Sequence, residues 1–217
     1  MSAADNSQTD TTAGHSPEVA ATPASASPVD ARYDRIVWID CEMTGLDMSN
    51  DVLVEIACIV TDAELNELDD GFTTVITAPA AKLADMDERV VELHTESGLL
   101  PLIPQGISIE AAAEQTLAYI AKHVPDAGKA PLAGSTIYVD RAFISRQMPS
   151  VDKYLHYRVI DVSSIKELVR RWWPKAYFQA PAKTGNHRAL GDVRDSIAEL
   201  RYYRATVFQP AGQLRKP

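Results

Sequence analysis

Cysteine is scarce. Cys41 and Cys58 are the two in 217 residues, too few for a disulfide framework or a cysteine-rich zinc site, and consistent with a reducing compartment. No apolar stretch approaches the ~18 residues that cross a bilayer. The first residues lack the basic and apolar segments of a signal peptide, so a cytoplasmic protein with no membrane association is expected. Positive charge is also short, with 21 Lys and Arg against 30 Asp and Glu, a net charge of −9. Residues 1–30 contain Asp5, Asp10, Glu18 and Asp30 but no lysine or arginine, which leaves −5 for the remainder. Such a chain lacks the charge for a long groove that tracks phosphates. A short anion remains compatible if cations neutralise an acidic pocket. There is no Walker A run, Gly-x-Gly-x-x-Gly, His-Glu-x-x-His or Gly-x-Ser-x-Gly, so the familiar nucleotide, zinc-protease and serine-hydrolase sites are excluded.

What is present divides into three parts. Residues 1–32 are rich in Ala, Ser, Thr and Pro, with no periodic apolar face, and read as a disordered tail. Residues 33–208 read as one domain, and residues 209–217 as a flexible C-terminal tail. Within the domain, apolar runs at 35–40, 53–60 and 71–77 have short links and suggest an antiparallel meander. Helical spacing follows from Ala81 to His94, and Ser108 reads as the cap of a clear helix. Further strands are expected at 131–137 and 157–161, with helices at 140–148, from a Ser163 cap to Trp173, and at 188–207. Residues 175–186 read as a loop. The sum is an α/β fold with a mixed five-stranded sheet flanked by helices.

Acids at element ends carry the chemistry. Asp40 and Glu42 lie two apart at the end of a strand, so their carboxylates leave on one side and could seat a hard cation. Asp62 and Glu64 repeat the spacing, but in a polar hairpin where a solvated turn is the better reading. Asp140 taken alone reads as a helix cap, and Asp192 as an acid that complements a helix dipole. His187 follows Gly185 and Asn186. If it sits on a loop with Asp192 one turn into the next helix, both can serve one site, and an imidazole there can accept a proton near neutral pH.

The ordered set of Asp40-x-Glu42, Asp140 and His187 with Asp192 resembles the DEDD exonuclease superfamily, in its histidine-base branch on a ribonuclease-H-like fold. The runs Trp38 to Asp47, His94 to Leu99, Asp140 to Phe143, Tyr157 to Ser163 and His187 to Asp192 more specifically resemble the oligoribonuclease family, over about residues 33–207. The resemblance implies a homodimeric 3′→5′ exoribonuclease acting on short RNA oligonucleotides, especially dinucleotides, with linear dinucleotides from cyclic-dinucleotide signalling as further substrates. It implies that Asp40, Glu42, Asp140 and Asp192 hold two divalent metal ions, Mg²⁺ or Mn²⁺, and that His187 is the general base. It implies that Leu46 packs on a base, His94 positions the scissile region, and Thr136 keeps a hydroxyl for phosphate. Tyr157 would arrive from the partner subunit, while Arg158 and Ser163 would cap the 5′-phosphate. Arg89, Ser135-Thr136 and Val139 depart from the family pattern, which bears on affinity and length preference. Trp172, Trp173 and Phe178 read as core or dimer contacts. The competing enzyme is a proofreading or RNA-processing exonuclease on longer strands, which would want a basic approach surface. A silent binding module or a plain interaction protein would leave the acids and histidine without a purpose.

Overall fold

The computed structural model describes residues 34–183 and 187–208. Both expected tails, and the Gly185–Asn186 turn, lie outside the described residues.

The central strands are β1 (Ile36–Met43) and β2 (Leu53–Thr61), flanked by β3 (Phe72–Val75), β4 (Pro131–Gly134) and β5 (His156–Asp161), in the sheet order β3-β2-β1-β4-β5. β1 with β2 and β2 with β3 are antiparallel, whereas β1 with β4 and β4 with β5 are parallel. The expected meander and helix-linked strands are both present. All nine residues of β2 are buried, because helices cover both faces of the sheet.

Residue parity decides which face each side chain meets. Val37, Ile39 and Cys41 of β1 pack with Ile120 of α3 (Ile109–His123), Phe143 of α4 (Ile137–Gln147) and Val151 of α5 (Pro149–Tyr154). Trp38 points the other way, into a second core with Val169 of α6 (Val162–Trp172) and Val193, Ile197 and Tyr203 of α8 (Ala189–Thr206). Asp40 and Glu42 share the parity of Trp38 and emerge where that core ends. The last helix, α8, packs against both β1 and β2 and so carries its first turn to the same edge.

Several boundaries differ from the sequence reading. The helical stretch from Ala81 divides into α1 (Ala80–Ala84) and α2 (Glu88–Glu96), because Asp87 caps the second by accepting from Arg89 N. Ser108 caps α3 as expected, accepting from Ala111 N at 3.2 Å. The fourth strand stops at Gly134, where a Cβ would lie 2.8 Å from the Ile39 carbonyl oxygen, and the next helix begins at Ile137. Asp140 is therefore inside the first turn of α4 and does not cap it. Asp161, rather than Ser163, caps α6, since its carboxylate accepts from Ser163 N at 2.9 Å and also from Thr136 N at 3.0 Å. The expected loop from 175 contains a short helix, α7 (Pro174–Phe178), started by a proline whose missing N–H costs nothing there. Trp172, Trp173 and Phe178 are exposed, so the core reading fails for them within this chain. Among the described residues, no helix is long and apolar enough to cross a membrane.

Phe143 is wholly buried between α4 and the sheet. Phe143→Ala should lower unfolding stability by about 3–5 kcal/mol, read as a reduced urea midpoint with an unchanged slope.

Candidate active site

Three carboxylates meet at the edge defined above. One oxygen each from Asp40, Glu42 and Asp192 lies within 4.8 Å of the others. The first two arrive from alternate positions of β1, and the third from the first turn of α8. Asp140 stands just outside this triplet and is 6% exposed. Its Oδ1 accepts from Cys41 N at 2.9 Å, between the two β1 acids. Asp140 comes from α4, which packs on the Ile39 and Cys41 face of the sheet. By contrast, Asp62 is engaged by both Asn66 N and Asn66 Nδ2 at 2.9 Å, the capped turn expected of it.

Burial, with like charge nearby, raises all four carboxyls. Burial pushes the Glu42 carboxyl up to about 8, with Asp192 and Glu55 adding to the effect. Burial likewise pushes Asp140 up to about 7, opposed by the hydrogen bond from Cys41 N. Asp40 is held well above the usual carboxylate range by burial and then by Asp140 and Glu42. Asp192 is raised by burial and partly relieved by His187 and Lys183. A hard divalent cation suits such a site, because an all-oxygen donor set gathered at this density lacks a counter-charge of matching size.

His187 lies outside α8, exposed, with a left-handed φ of 47°. It lies within electrostatic reach of Asp192, whose carboxyl it lowers against the larger effect of burial. The left-handed backbone is costly for a residue with a Cβ.

A cleft of about 440 Å³ opens beside Glu42, bounded by Leu46, Arg89 and Leu93. Leu46 is 72% exposed at the tip of a braced loop. The brace is Asp51, which accepts from Thr44 Oγ1 and Asp47 N, both at 2.8 Å, and fills the space a Cβ on Gly45 would need. Arg146 of α4 holds the same loop through the carbonyls of Met48 and Ser49. His94 is buried behind Glu42; its Nε2 lies 2.8 Å from the Met43 carbonyl oxygen and its Nδ1 lies 3.9 Å from Glu42 Oε2.

The remaining expected contacts form a second group. Thr136 Oγ1 and Ser163 Oγ lie 3.1 Å apart, on a surface cleft of about 470 Å³ floored by Asp161. Tyr157 is 73% exposed on edge strand β5, and the Arg158 guanidinium sits 5.5 Å from its ring centroid. A further cleft of about 490 Å³, between Trp173 and Tyr202, is lined by none of the four acids.

Sequence reasoning missed Glu55 and Arg188. Glu55 faces Glu42 across the β1–β2 ladder, is 1% exposed, and binds Arg188 at 2.6 Å. The available signal was an acid in the middle of an otherwise apolar strand, which has to be paired.

Comparison with known proteins agrees with this geometry. The family model described as Exonuclease matches residues 37–200. An oligoribonuclease of Streptomyces griseus is 56% identical over 82% of this chain and 88% of its own length. An oligoribonuclease of Rhodococcus jostii is 55% identical over 82% and 89%, and one of Mycobacterium leprae is 53% identical over 82% and 83%. Among solved structures, a zinc-bound exonuclease I–ssDNA complex from E. coli superposes with a TM-score of 0.63 at 14% identity. It covers 80% of this chain but only 41% of that longer one, and shows the shared ribonuclease-H-like fold. With these similarities beside the clustered acids, the chain belongs to the exonuclease family and, within it, to the oligoribonucleases.

Proposed function

We propose that this protein is a 3′→5′ exoribonuclease that hydrolyses very short RNAs, dinucleotides above all, to nucleoside monophosphates. The observation that carries the reading is the meeting of Asp40, Glu42 and Asp192 within 4.8 Å, with Asp140 and His187 alongside. Asp40, Glu42, Asp140 and Asp192 would hold two divalent ions, Mg²⁺ or Mn²⁺. When bound, such ions sharpen a water nucleophile and stabilise charge on the phosphate and the leaving 3′-oxygen.

The chain's own residues supply the rest. His187 takes the proton of the attacking water, and its exposed loop position gives it access to solvent. Leu46 offers an apolar surface to a base at the mouth of the cleft, on a loop too well braced to collapse. His94, in the wall of the same cleft and beside Glu42 and the Met43 backbone, helps to position the scissile region. Thr136, Arg158 and Ser163 present donors for a 5′-phosphate. A substrate gripped at both ends needs no basic groove, which fits the net charge of −9. The exposed Tyr157 on an edge strand supports a homodimer in which it reaches the partner's cleft. Linear dinucleotides from cyclic-dinucleotide signalling meet the same requirements as short RNA, and the expected location is the cytoplasm.

Asp140→Ala should reduce turnover of a 5′-phosphorylated diribonucleotide at least 1,000-fold, by order of magnitude, without altering the far-UV circular dichroism. His187→Ala should lower kcat by about 100- to 10,000-fold while leaving calorimetric Mn²⁺ affinity nearly unchanged. A lost metal affinity would make His187 a ligand instead of the base.

The raised carboxyls also govern stability. A group with its folded pKa above its unfolded value stabilises the fold below the unfolded pKa, and this contribution is lost as pH rises through the folded one. For Asp140 and Glu42 the loss runs from about 4 to about 7 and about 8. The lowered carboxyls of Asp47, Asp62, Asp69 and Glu167 lose their contribution as pH falls through and below the ordinary carboxylate range, so they do not compensate on the alkaline side. Chelator-treated protein should therefore melt at lower temperature at pH 8.5 than at pH 5.5. Excess Mg²⁺ or Mn²⁺ should raise the pH 8.5 melting point by about 4 °C or more, with a smaller gain at pH 5.5.

A further inference from the structure

Glu55 is a buried acid beside the site that is not one of its four carboxylates. It projects from β2 directly opposite Glu42, wholly buried, and is absent from the triplet of Asp40, Glu42 and Asp192. Its placement is unfavourable for the neighbouring acids, since its charge helps to raise Glu42. A clamp needed only for stability could be apolar, because a buried ion pair is often no better than well-packed hydrocarbon. A directional task is the alternative.

The hydrogen bonds show the direction. Arg188 Nε donates to both Glu55 oxygens at 3.1 and 3.2 Å, Arg188 Nη2 donates to Oε1 at 2.6 Å, and Ala189 N donates to Oε2 at 3.1 Å. One carboxylate thereby grips the side chain of residue 188 and the backbone of residue 189. Those two residues join the loop to α8, and α8 has no side-chain cap of its own. Ala189 N is one of the N–H groups that a helix start leaves unpaired.

His187 is the next residue back, in a left-handed conformation that an L side chain rarely adopts. Asp192 is held by the packing of Val193 and Ile197, both buried beneath α8. Exposed His187 has no comparable packing. We propose that Glu55 and Arg188 are positioning residues for the reaction, a fork that fixes the loop-to-helix joint and so aims His187 across the β1 carboxylates. This inference rests on the reading of His187 as the general base. Because Lys has a single-point ammonium where Arg has a planar fork, Arg188→Lys keeps the charge on Glu55 and loses the geometry.

The test is a double-mutant cycle on a 5′-phosphorylated diribonucleotide at saturating Mn²⁺, comparing Arg188→Lys in wild type and in His187→Ala. In wild type, kcat should fall about 100-fold from misalignment alone, with KM and Mn²⁺ affinity nearly unchanged. In His187→Ala the same substitution should cost little more, since the group it aims is gone. An equal loss on both backgrounds, or a loss confined to KM, overturns the positioning role and leaves the base assignment standing. A His187→Ala variant with full activity overturns the base assignment itself. Should Arg188→Lys fail to fold, Glu55→Gln combined with Arg188→Gln removes both charges and runs the same cycle, with the same results deciding it.

Discussion

Mutual repulsion among carboxylates is the constraint on which the rest of this structure depends. Asp40, Glu42 and Asp192 come within 4.8 Å, with Asp140 beside them, although water would keep four such groups apart. All four carboxyls are raised, by burial first and by neighbouring carboxylates second, and the fold holds them together against that cost. It does so with rigid parts: a nine-residue buried strand, β2, behind the acids and helices on both faces of the sheet. The same repulsion becomes useful once cations arrive, because an all-oxygen site of this density favours hard divalent ions.

The acidic charge of the chain fits a short substrate better than a long one. A groove that bound long strands would need many basic contacts, and this chain has an excess of acid. Under the proposed reading, donors placed at the far end of a short substrate would do what a groove does by number. The Asp161 carboxylate is central there, since it caps α6 and ties down Thr136 N, bringing the Thr136 and Ser163 hydroxyls within 3.1 Å.

Much of this was legible in the sequence because it depends on local rules. Period-two spacing put Asp40 and Glu42 on one side of a strand, and apolar runs marked the place of all five strands, though the third and fourth are shorter than expected. The tie between Cys41 N and Asp140 joins residues 99 apart, and no local pattern reports it. The Glu55–Arg188 fork spans 133 residues and was invisible for the same reason, although an acid within an apolar strand was a signal that something must face it. One helix cap was misassigned where two polar residues competed for it. Asp161 prevailed over Ser163 because a carboxylate at the strand end can take two backbone N–H groups at once. Trp172 and Trp173 read as core or dimer contacts from their apolar bulk, and the three-dimensional packing shows both on the surface of this chain.

The most direct test of the central claim is a time course with 5′-phosphorylated RNAs of two, four, seven and twenty nucleotides, with Mg²⁺ and with chelator. The account predicts metal-dependent loss of the dinucleotide at a far higher rate than the twenty-mer, with mononucleotides as products. Faster attack on the twenty-mer, or turnover undiminished by chelator, would contradict it.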